Sequence, residues 1–406
     1  MNSLCRIIGP NFSGRSHALA ELLRGQGKGG ESFYVGPYAE SGLSGIATTV
    51  AEELAFYSSC GYTDSDIGSI NAGLARPNQR VATLSGGEQT LLALQCFDSS
   101  RYAFLGIDTA LEQLDPVNRS SILRYLSQLY LSGRKCCLID NRELGGTFDD
   151  ETIALKAEAN AFPLNLERLI SSCPSGGAPA IELRSLQFAY SPVVPVFVDV
   201  SLAMRGGCAY RLYGPNGSGK STFLKLLAGA LSAKTGELYL DGRPYNPYKG
   251  GNEIIGWAMQ DPDHQWVSTS VESDLAIKIK AFEGRRYART PKDLEITSWI
   301  ACFGIATRSR QHLLDLPKAL RKRLSWLWPL NGVLPWIALD EPTIGQDRYT
   351  VRRLAQALTR LIERGLGVLF VSHDDDFASL IPHETLVFAN HKITAEENPR
   401  DLLPDS

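Results

Sequence analysis

A glycine-rich segment at 214–222, GPNGSGKST, holds the residues best suited to chemistry. It follows an apolar run typical of a strand and precedes a helical pattern. Its small residues would let consecutive backbone N–H groups surround a phosphate chain, and the helix would add the positive end of its dipole. The ammonium of Lys220 would reach the β- and γ-phosphates, and the hydroxyl of Ser221 would bind Mg²⁺. The segment therefore predicts a site for ATP and Mg²⁺.

Two carboxylates follow a second apolar run. Asp340 ends the run at 336–339 and would hold the same Mg²⁺ through water, and Glu341 comes next. A carboxylate in that position can take a proton from the water that attacks the γ-phosphate. Either motif alone arises often by chance, but together they predict a hydrolytic site.

Alternating strands and helices must position these residues. Apolar runs such as 208–213 and 366–372 are separated by helical patterns. This alternation predicts parallel sheets covered by helices, an α/β fold. At 406 residues the chain suits two domains, each large enough to bury a core.

Composition excludes several functional classes. The hydrophobic fraction of 44% and the charged fraction of 21% are ordinary for a globular protein, and a net charge of −3 offers no basic footprint for nucleic acid. The first ten residues lack the pattern of a signal peptide, and no window holds about 18 uninterrupted apolar residues. The eight cysteines lack zinc spacing and indicate reduced core thiols.

Three landmarks recur at a nearly constant separation, which predicts two copies of one fold. LSGGEQ at 84–89 and the strands ending at Asp108 and Asp140 are followed 232 or 233 residues later by LPKALR at 316–321, Asp340 and His373.

The repeat also predicts the domain boundaries. Residues 1–160 would form a truncated first copy, and residues 179–406 a second copy. Between them, 161–178 carries the cluster of Pro, Ser and Gly expected of a linker.

Together, the motifs carry a family resemblance. GPNGSGKST, MQDPDHQ at 259–265, LDEPTIGQD at 339–347, VSHDD at 371–375 and LSGGEQ resemble the motif set of ABC transporter ATPases. The stretch QDPDHQWVSTSVESDLAI at 260–277 is similar to the Q-loop region of cobalt and energy-coupling-factor (ECF) type importer ATPases.

The resemblance implies a fold of two fused P-loop NTPase domains. Each would hold a mainly parallel sheet with helices and a helical subdomain. The second half alone has an opening segment, 181–204, and 41 rather than about 25 residues between its last loop glycine and its Q-loop. We therefore expect the antiparallel β-subdomain that grips adenine only there.

The resemblance also implies roles for individual residues. The phosphates would be bound by Gly214, Pro215, Asn216, Gly217, Ser218, Gly219, Lys220, Ser221 and Thr222. Mg²⁺ would be bound by Ser221, Gln260 and Asp340, and catalysis would use Glu341, His373, Gln260 and Lys220. Tyr190 would stack on adenine. Ser85, Gly86, Gly87 and Glu88 would close on the nucleotide from the other half, with Asp115 supporting the intervening loop.

The first half departs from the family pattern at its own phosphate loop. Arg15 replaces the lysine, and its planar guanidinium does not substitute for a compact ammonium. Thr109 replaces the catalytic Glu, a loss of roughly 10²- to 10⁴-fold in rate. Asp140 stands where the switch His is expected, and no Gln is found around 38–40. Hydrolysis at this loop is not expected.

The second half carries the complementary loss. Its signature reads Pro-Lys-Ala-Leu at 317–320, which would block close backbone approach to a γ-phosphate. In the family's head-to-tail sandwich, both losses would fall on one site, and the intact loop would face the intact LSGGEQ. The sequence predicts one competent composite site formed by head-to-tail pairing of the two halves within one chain. A dimer that brings the same motifs together between two chains is the alternative.

The leading functional hypothesis is the energising subunit of a membrane importer for a micronutrient. Such a subunit would lie on the cytoplasmic face of the membrane, docked on a separate transmembrane subunit, possibly with a substrate-binding membrane component. The alternatives are a soluble ABC ATPase acting on ribosomes or nucleic acid, which the low net charge disfavours, and an ATP sensor without turnover, which Glu341 and His373 disfavour.

Overall fold

The chain divides into two units, Met1–Ala159 and Asn160–Ser406. The structure is a computed structural model. It describes residues 5–8, 15–26, 32–36, 42–59, 77–84, 86–98, 100, 102–131, 135–140, 151–154, 164–173, 176–191, 194–288, 296–305, 308–331 and 333–396. Within these ranges, no helix combines the length and hydrophobicity needed to cross a membrane.

The first unit is built on a parallel sheet with the strand order β2-β3-β4-β1-β5. Its strands are β1 (Cys5–Ile8), β2 (Ser32–Val35), β3 (Phe104–Asp108), β4 (Lys135–Ile139) and β5 (Glu151–Ala154). Its helices are α1 (Arg15–Gln26), α2 (Val50–Ser59), α3 (Gly86–Asp98) and α4 (Pro116–Leu131). Leu91, Leu92 and Leu94 of α3 are buried in one cluster with Leu105 and Ile107 of β3.

The second unit contains two sheets. The strands are β6 (Ile181–Ser191), β7 (Val194–Met204), β8 (Ala209–Tyr213), β9 (Thr235–Leu240), β10 (Arg243–Tyr245), β11 (Ile255–Ala258), β12 (Trp336–Asp340), β13 (Gly367–Val371), β14 (Glu384–Ala389) and β15 (Lys392–Glu396). The larger sheet has the order β11-β12-β13-β8-β14-β15 and is parallel except for β15, and the smaller is antiparallel with the order β10-β9-β6-β7.

Helices cover the larger sheet and form a group between β11 and β12. They are α5 (Glu167–Ser172), α6 (Lys220–Leu227), α7 (Pro247–Gly250), α8 (Val271–Phe282), α9 (Ile296–Ala301), α10 (Lys318–Ser325), α11 (Leu327–Leu330), α12 (Arg348–Glu363) and α13 (Asp375–Ser379). In α12, Val351, Leu354 and Leu358 are buried at helical spacing. Asp347 caps this helix by accepting the N–H of Thr350 at 2.8 Å.

The two parallel sheets follow the same plan. When the first five strands of each sheet are numbered in chain order, both sheets have the spatial order 2-3-4-1-5. The described residues of the first unit contain an isolated antiparallel bridge, Thr49–Arg80, but no antiparallel sheet. Among the described residues, an antiparallel sheet therefore occurs in the second unit alone, which agrees with the expectation from the sequence.

Strand register corrects one expectation about the first unit. Asp108 pairs with Ile139, and Asp340 pairs with Val371. The separation stays 232 along both strands, so Asp140 matches Ser372 and not His373. The expectation that Asp140 replaces the switch His is wrong by one residue, because the strand pairing leaves no room for an insertion. The matching residue, Asn141, lies outside the described residues.

The segment predicted as a linker is partly folded. Helix α5 lies within it, and Leu164, Leu166 and Ile170 are buried. Glu167 forms an ion pair with Arg360 of α12, and the Cys173 thiol donates to the carbonyl of Leu330 at 3.3 Å. Residues 164–173 are therefore a folded part of the second unit, with their apolar side chains buried in it.

Candidate active site

The phosphate loop connects β8 to α6, as its sequence predicts. Gly214 and Gly219 have φ angles of 152° and 103°, in the region that favours glycine. A Cβ on Gly214 would lie 2.6 Å from the carbonyl oxygen of Phe388, and one on Gly219 would lie 2.9 Å from the Phe197 ring. Packing and backbone conformation therefore both require glycine at these positions.

Lys220 begins α6 and is buried inside the loop. Its Nζ donates to the carbonyl oxygens of Gly214 at 2.7 Å and Pro215 at 2.9 Å. The backbone of the loop thus surrounds the ammonium of Lys220. A phosphate entering the loop would replace these carbonyls as the partner of Nζ.

Asp340 ends β12 at the mouth of the loop. Burial raises the pKa of this carboxyl, while a hydrogen bond from Ser221 and the charges of Lys322 and Lys220 oppose the shift. A hydroxyl and a carboxylate in contact are hard oxygen donors of the kind Mg²⁺ prefers. The structure therefore brings two of the three predicted Mg²⁺ ligands together.

Glu341 and His373 face each other at the ends of neighbouring strands. Glu341 has a φ of 45°, a left-handed conformation that is strained for a non-glycine residue. Its N–H donates to the carbonyl of Val371 at 3.0 Å. One carboxylate oxygen lies 3.5 Å from Nε2 of His373, which is also 3.2 Å from Oδ1 of Asn216. The predicted base, the predicted switch His and the phosphate loop thus meet at one point.

Gln260 lies just past β11, and its backbone carbonyl accepts from Nζ of Lys322 at 2.7 Å. Gln265 and Lys322, which the sequence analysis did not single out as site residues, hold this segment by hydrogen bonds. Gln265 is buried, accepts the N–H of Met259 at 2.9 Å and donates to the carbonyl of Ser325 at 3.2 Å. No sequence signal sets either residue apart, since Gln265 lies in the largely polar stretch 260–265 and Lys322 lies in a basic helix.

Tyr190 lies beside the start of α6. Its hydroxyl is 3.1 Å from Oγ1 of Thr222, and its ring meets Phe188 edge-on at 5.0 Å. The side chain is 62% exposed, so one ring face is open to solvent. This geometry leaves a surface on which a base can stack.

In the first unit the signature begins a helix. Gly86 starts α3, and Gly87 and Glu88 lie in its first turn, whereas Ser85 lies outside the described residues. The N–H groups at the start of a 13-residue helix favour an anion. In the second unit the corresponding helix, α10, begins after Pro317, which is exposed.

Asp115 caps α4. Its two carboxylate oxygens accept from the backbone N–H of Asn118 at 2.9 Å and from its side-chain amide at 2.8 Å. Asp347 caps α12 in the same way in the second unit. The residue predicted to support the loop before α4 therefore fixes the start of that helix.

In the first unit, Asp108 ends β3 as Asp340 ends β12, and Asp108 accepts a hydrogen bond from a tyrosine. The hydroxyl of Tyr34 donates to Oδ2 of Asp108 at 3.2 Å, and burial together with that carboxylate raises the pKa of Tyr34. Thr109 has a φ of 55° and its N–H donates to the carbonyl of Ile139, which is the backbone geometry of Glu341 without the carboxylate. Asp140 forms an ion pair with Arg119 at 2.8 Å.

Comparison with known proteins agrees with this geometry. The family model described as ABC transporter matches residues 197–344. An energy-coupling factor transporter ATP-binding protein of Thermotoga maritima is 32% identical over 217 residues, which cover 51% of this chain and 80% of that protein. A putative HMP/thiamine import ATP-binding protein of Bacillus subtilis is 26% identical over 374 residues, 80% of this chain and 67% of that protein.

Among solved structures, cbiO1 of Clostridium perfringens, described as part of an ABC transporter complex, is 24% identical with a TM-score of 0.44 and covers 55% of this chain and 90% of that one. The resemblance seen in the motifs is confirmed by the family model and the relative from Thermotoga maritima. This chain belongs to the ATP-binding proteins of ABC transporters and is an ATPase of that family.

Proposed function

We propose that the second unit hydrolyses ATP to energise a membrane importer of the ECF type that takes up a micronutrient. The observation that carries the proposal is the meeting of Lys220, Asp340, Glu341 and His373 at the ends of β8, β12 and β13. A cation, a metal-binding carboxylate, a base and a hydrogen-bond donor are the groups that phosphoryl transfer to water requires.

Each residue has one task in this proposal. Nζ of Lys220 and the loop N–H groups bind the β- and γ-phosphates. Glu341 takes the proton of the attacking water on a carboxylate oxygen, and Nε2 of His373 holds the γ-phosphate. Bound Mg²⁺, held by Ser221, Gln260 and Asp340, would neutralise charge that develops on the phosphate oxygens.

We further propose that the two units are copies of one fold and that they share one competent composite site. The common strand plan supports the duplication, as does a relative whose match extends over 80% of the chain. In this site the 214–222 loop would face Ser85, Gly86, Gly87 and Glu88, closing within one chain or between two chains. The hydrogen bond from Tyr34 to Asp108, the absence of a carboxylate at Thr109 and the proline at 317 support the proposal that a second site does not turn over.

The partner would be a separate transmembrane subunit, with this chain on the cytoplasmic face of the membrane. The names of the relatives support the assignment to import, and those relatives include ECF and HMP/thiamine proteins. The alternative, a soluble ATPase acting on ribosomes or nucleic acid, is disfavoured by the net charge of −3 and by the transporter relatives.

ATP turnover of the purified chain, with and without its membrane partner, tests the proposal. We expect both Glu341→Gln and Ser85→Arg to abolish hydrolysis, and the Gln variant to trap one nucleotide per chain. Ala55→Arg, at an exposed position of α2, is the matched control and should turn over normally. Normal hydrolysis by Ser85→Arg would overturn the composite site and leave the second unit acting alone.

A further inference from the structure

The ammonium of Lys322, in α10, is almost completely buried and fully bonded. Its Nζ donates to the carbonyl oxygens of Met259 at 2.9 Å, Gln260 at 2.7 Å and Asp340 at 2.9 Å. An ammonium has three hydrogens to donate, so all three are used on backbone oxygens. The ammonium therefore bonds backbone carbonyls of the site and no carboxylate.

These carbonyls belong to two separate segments of the site. Met259 and Gln260 follow β11, and Asp340 ends β12. Gln260 and Asp340 are both proposed ligands of Mg²⁺, and both have their carbonyl oxygens on the same nitrogen atom. Strand pairing holds Ala258 beside Leu339, and just beyond that pair one side chain that belongs to neither segment bonds both residues.

Keeping a cation in this place has a cost that packing alone does not explain. Lys322 is only 2% exposed, so its ammonium loses nearly all contact with water. An apolar residue of the same length would avoid the desolvation of an ammonium. A methionine, however, would bind none of the three carbonyls.

Other contacts attach α10 to the same segment without reaching Asp340. Arg321 makes a bidentate pair with Asp263 at 2.7 and 2.9 Å, and Gln265 donates to the carbonyl of Ser325. These bonds remain when Lys322 is changed. We therefore expect α10 to stay in place in a variant of Lys322, while the distance between Gln260 and Asp340 becomes less tightly fixed.

We propose that Lys322 is a positioning residue that fixes Gln260 relative to Asp340 and so builds the Mg²⁺ site of the second unit. The inference rests on the proposed function, since it takes Ser221, Gln260 and Asp340 as the metal's oxygen donors. A hydroxyl, an amide and a carboxylate fit that ion by their chemistry. Residues that orient metal ligands typically contribute about 10- to 100-fold to metal affinity or activity.

The test measures Mn²⁺ as a substitute for Mg²⁺, by electron paramagnetic resonance, in the presence of a non-hydrolysable ATP analogue. In Lys322→Met we expect Mn²⁺ affinity and kcat each to fall by about 10- to 100-fold. The KM for ATP and the metal-free affinity for the analogue should stay unchanged, because the phosphate loop is not touched. Lys322→Gln keeps two amide N–H donors, so its Mn²⁺ affinity and kcat should lie between those of wild type and Lys322→Met.

Lys278→Met is the matched control. Lys278 is a largely buried lysine of α8 that pairs with Asp274 at 2.7 Å, away from the three carbonyls. The Lys278→Met variant should bind Mn²⁺ and hydrolyse ATP as wild type does. Thermal melting shows whether each variant folds. If Lys322→Met fails to fold, Lys322→Gln decides the question.

Wild-type Mn²⁺ affinity in both folded Lys322 variants would overturn the inference, as would an equal loss in Lys278→Met. Asp340→Asn separates this failure from failure of the proposed site. If Asp340→Asn loses Mn²⁺ and the Lys322 variants do not, the site stands without the positioning role. If wild type binds no Mn²⁺ with the analogue, both the site and the inference are overturned.

Discussion

Replacing Arg211 by Met tests how the switch loop is held against the phosphate-loop strand. Arg211 lies in β8 and is buried. Its Nε and Nη2 donate to the carbonyl of Ser372 at 3.2 and 2.9 Å, and Nη2 also donates to Asp375 at 2.7 Å. Ser372 directly precedes His373, so the guanidinium fixes the backbone from which the switch side chain projects.

The two hydrogen-bond partners of Arg211 are expected to contribute different amounts to the free energy of unfolding. Ser372 is buried, and removing the donors to its carbonyl costs about 1–3 kcal/mol. The side chain of Asp375 is 59% exposed and can be rehydrated, so its share is below about 1 kcal/mol. We therefore expect Arg211→Met to lower the free energy of unfolding by about 1–3 kcal/mol and Asp375→Asn by less than about 1 kcal/mol.

Urea unfolding followed by tryptophan fluorescence measures the stability, and ATP turnover measures the effect on the loop. Arg205→Met is the control, because Arg205 pairs with Glu384 at 2.6 Å but its side chain is 76% exposed. We expect kcat to fall in Arg211→Met and to stay unchanged in Arg205→Met. Equal stability losses in Arg211→Met and Asp375→Asn would refute the argument that Ser372 is the important partner, and wild-type kcat in Arg211→Met would refute the effect on the loop.

Three further substitutions test the local geometry. Gly219→Val places a side chain where φ is 103° and the Phe197 ring is 2.9 Å away, and the strain of about 1–3 kcal/mol should weaken nucleotide binding, measured with a fluorescent analogue. Burial lowers the pKa of His383 from 6.5, so the unfolded state binds more protons and wild-type stability should fall as pH drops through about 6.5. His383→Gln should remove that dependence in urea titrations at several pH values. Gly367→Ala puts a Cβ 2.4 Å from the Trp336 ring and should lower the free energy of unfolding by about 1–3 kcal/mol, with an unchanged melting curve contradicting the packing.

The chemical motifs could be predicted because each is local in sequence. A glycine-rich loop before Lys220 and a strand ending in Asp340 and Glu341 specify both residue types and backbone path, and the structure brings them together. Parallel pairing then puts the ends of β12 and β13 side by side, so His373 follows from the fold. An antiparallel sheet was expected in the second unit because the segment 181–204 and the longer spacing from loop glycine to Q-loop occur there, and the structure describes that sheet.

Other features depended on packing, which the sequence does not display. The prediction about Asp140 failed by one residue, since only the strand register fixes which residues are opposite each other. The linker prediction missed α5, because a short apolar stretch beside Pro, Ser and Gly reads as a loop until its burial is known. Lys322 was missed for a related reason, as a lysine in a basic helix is ordinarily placed on the solvent face.

The loss of the second unit's signature and the retention of α10 can be understood together. Pro317 and Lys318 are exposed, whereas every residue from Leu320 to Ser325 is buried. In the proposed composite site the exposed start of this helix would contact a nucleotide bound by another unit, whereas its buried part contacts its own unit through Lys322 and the ion pair of Arg321 with Asp263. Substitutions at the start can accumulate once the facing site no longer turns over, while the buried residues stay under constraint. This separation explains how one helix can lose its role toward one site and keep its role in the other.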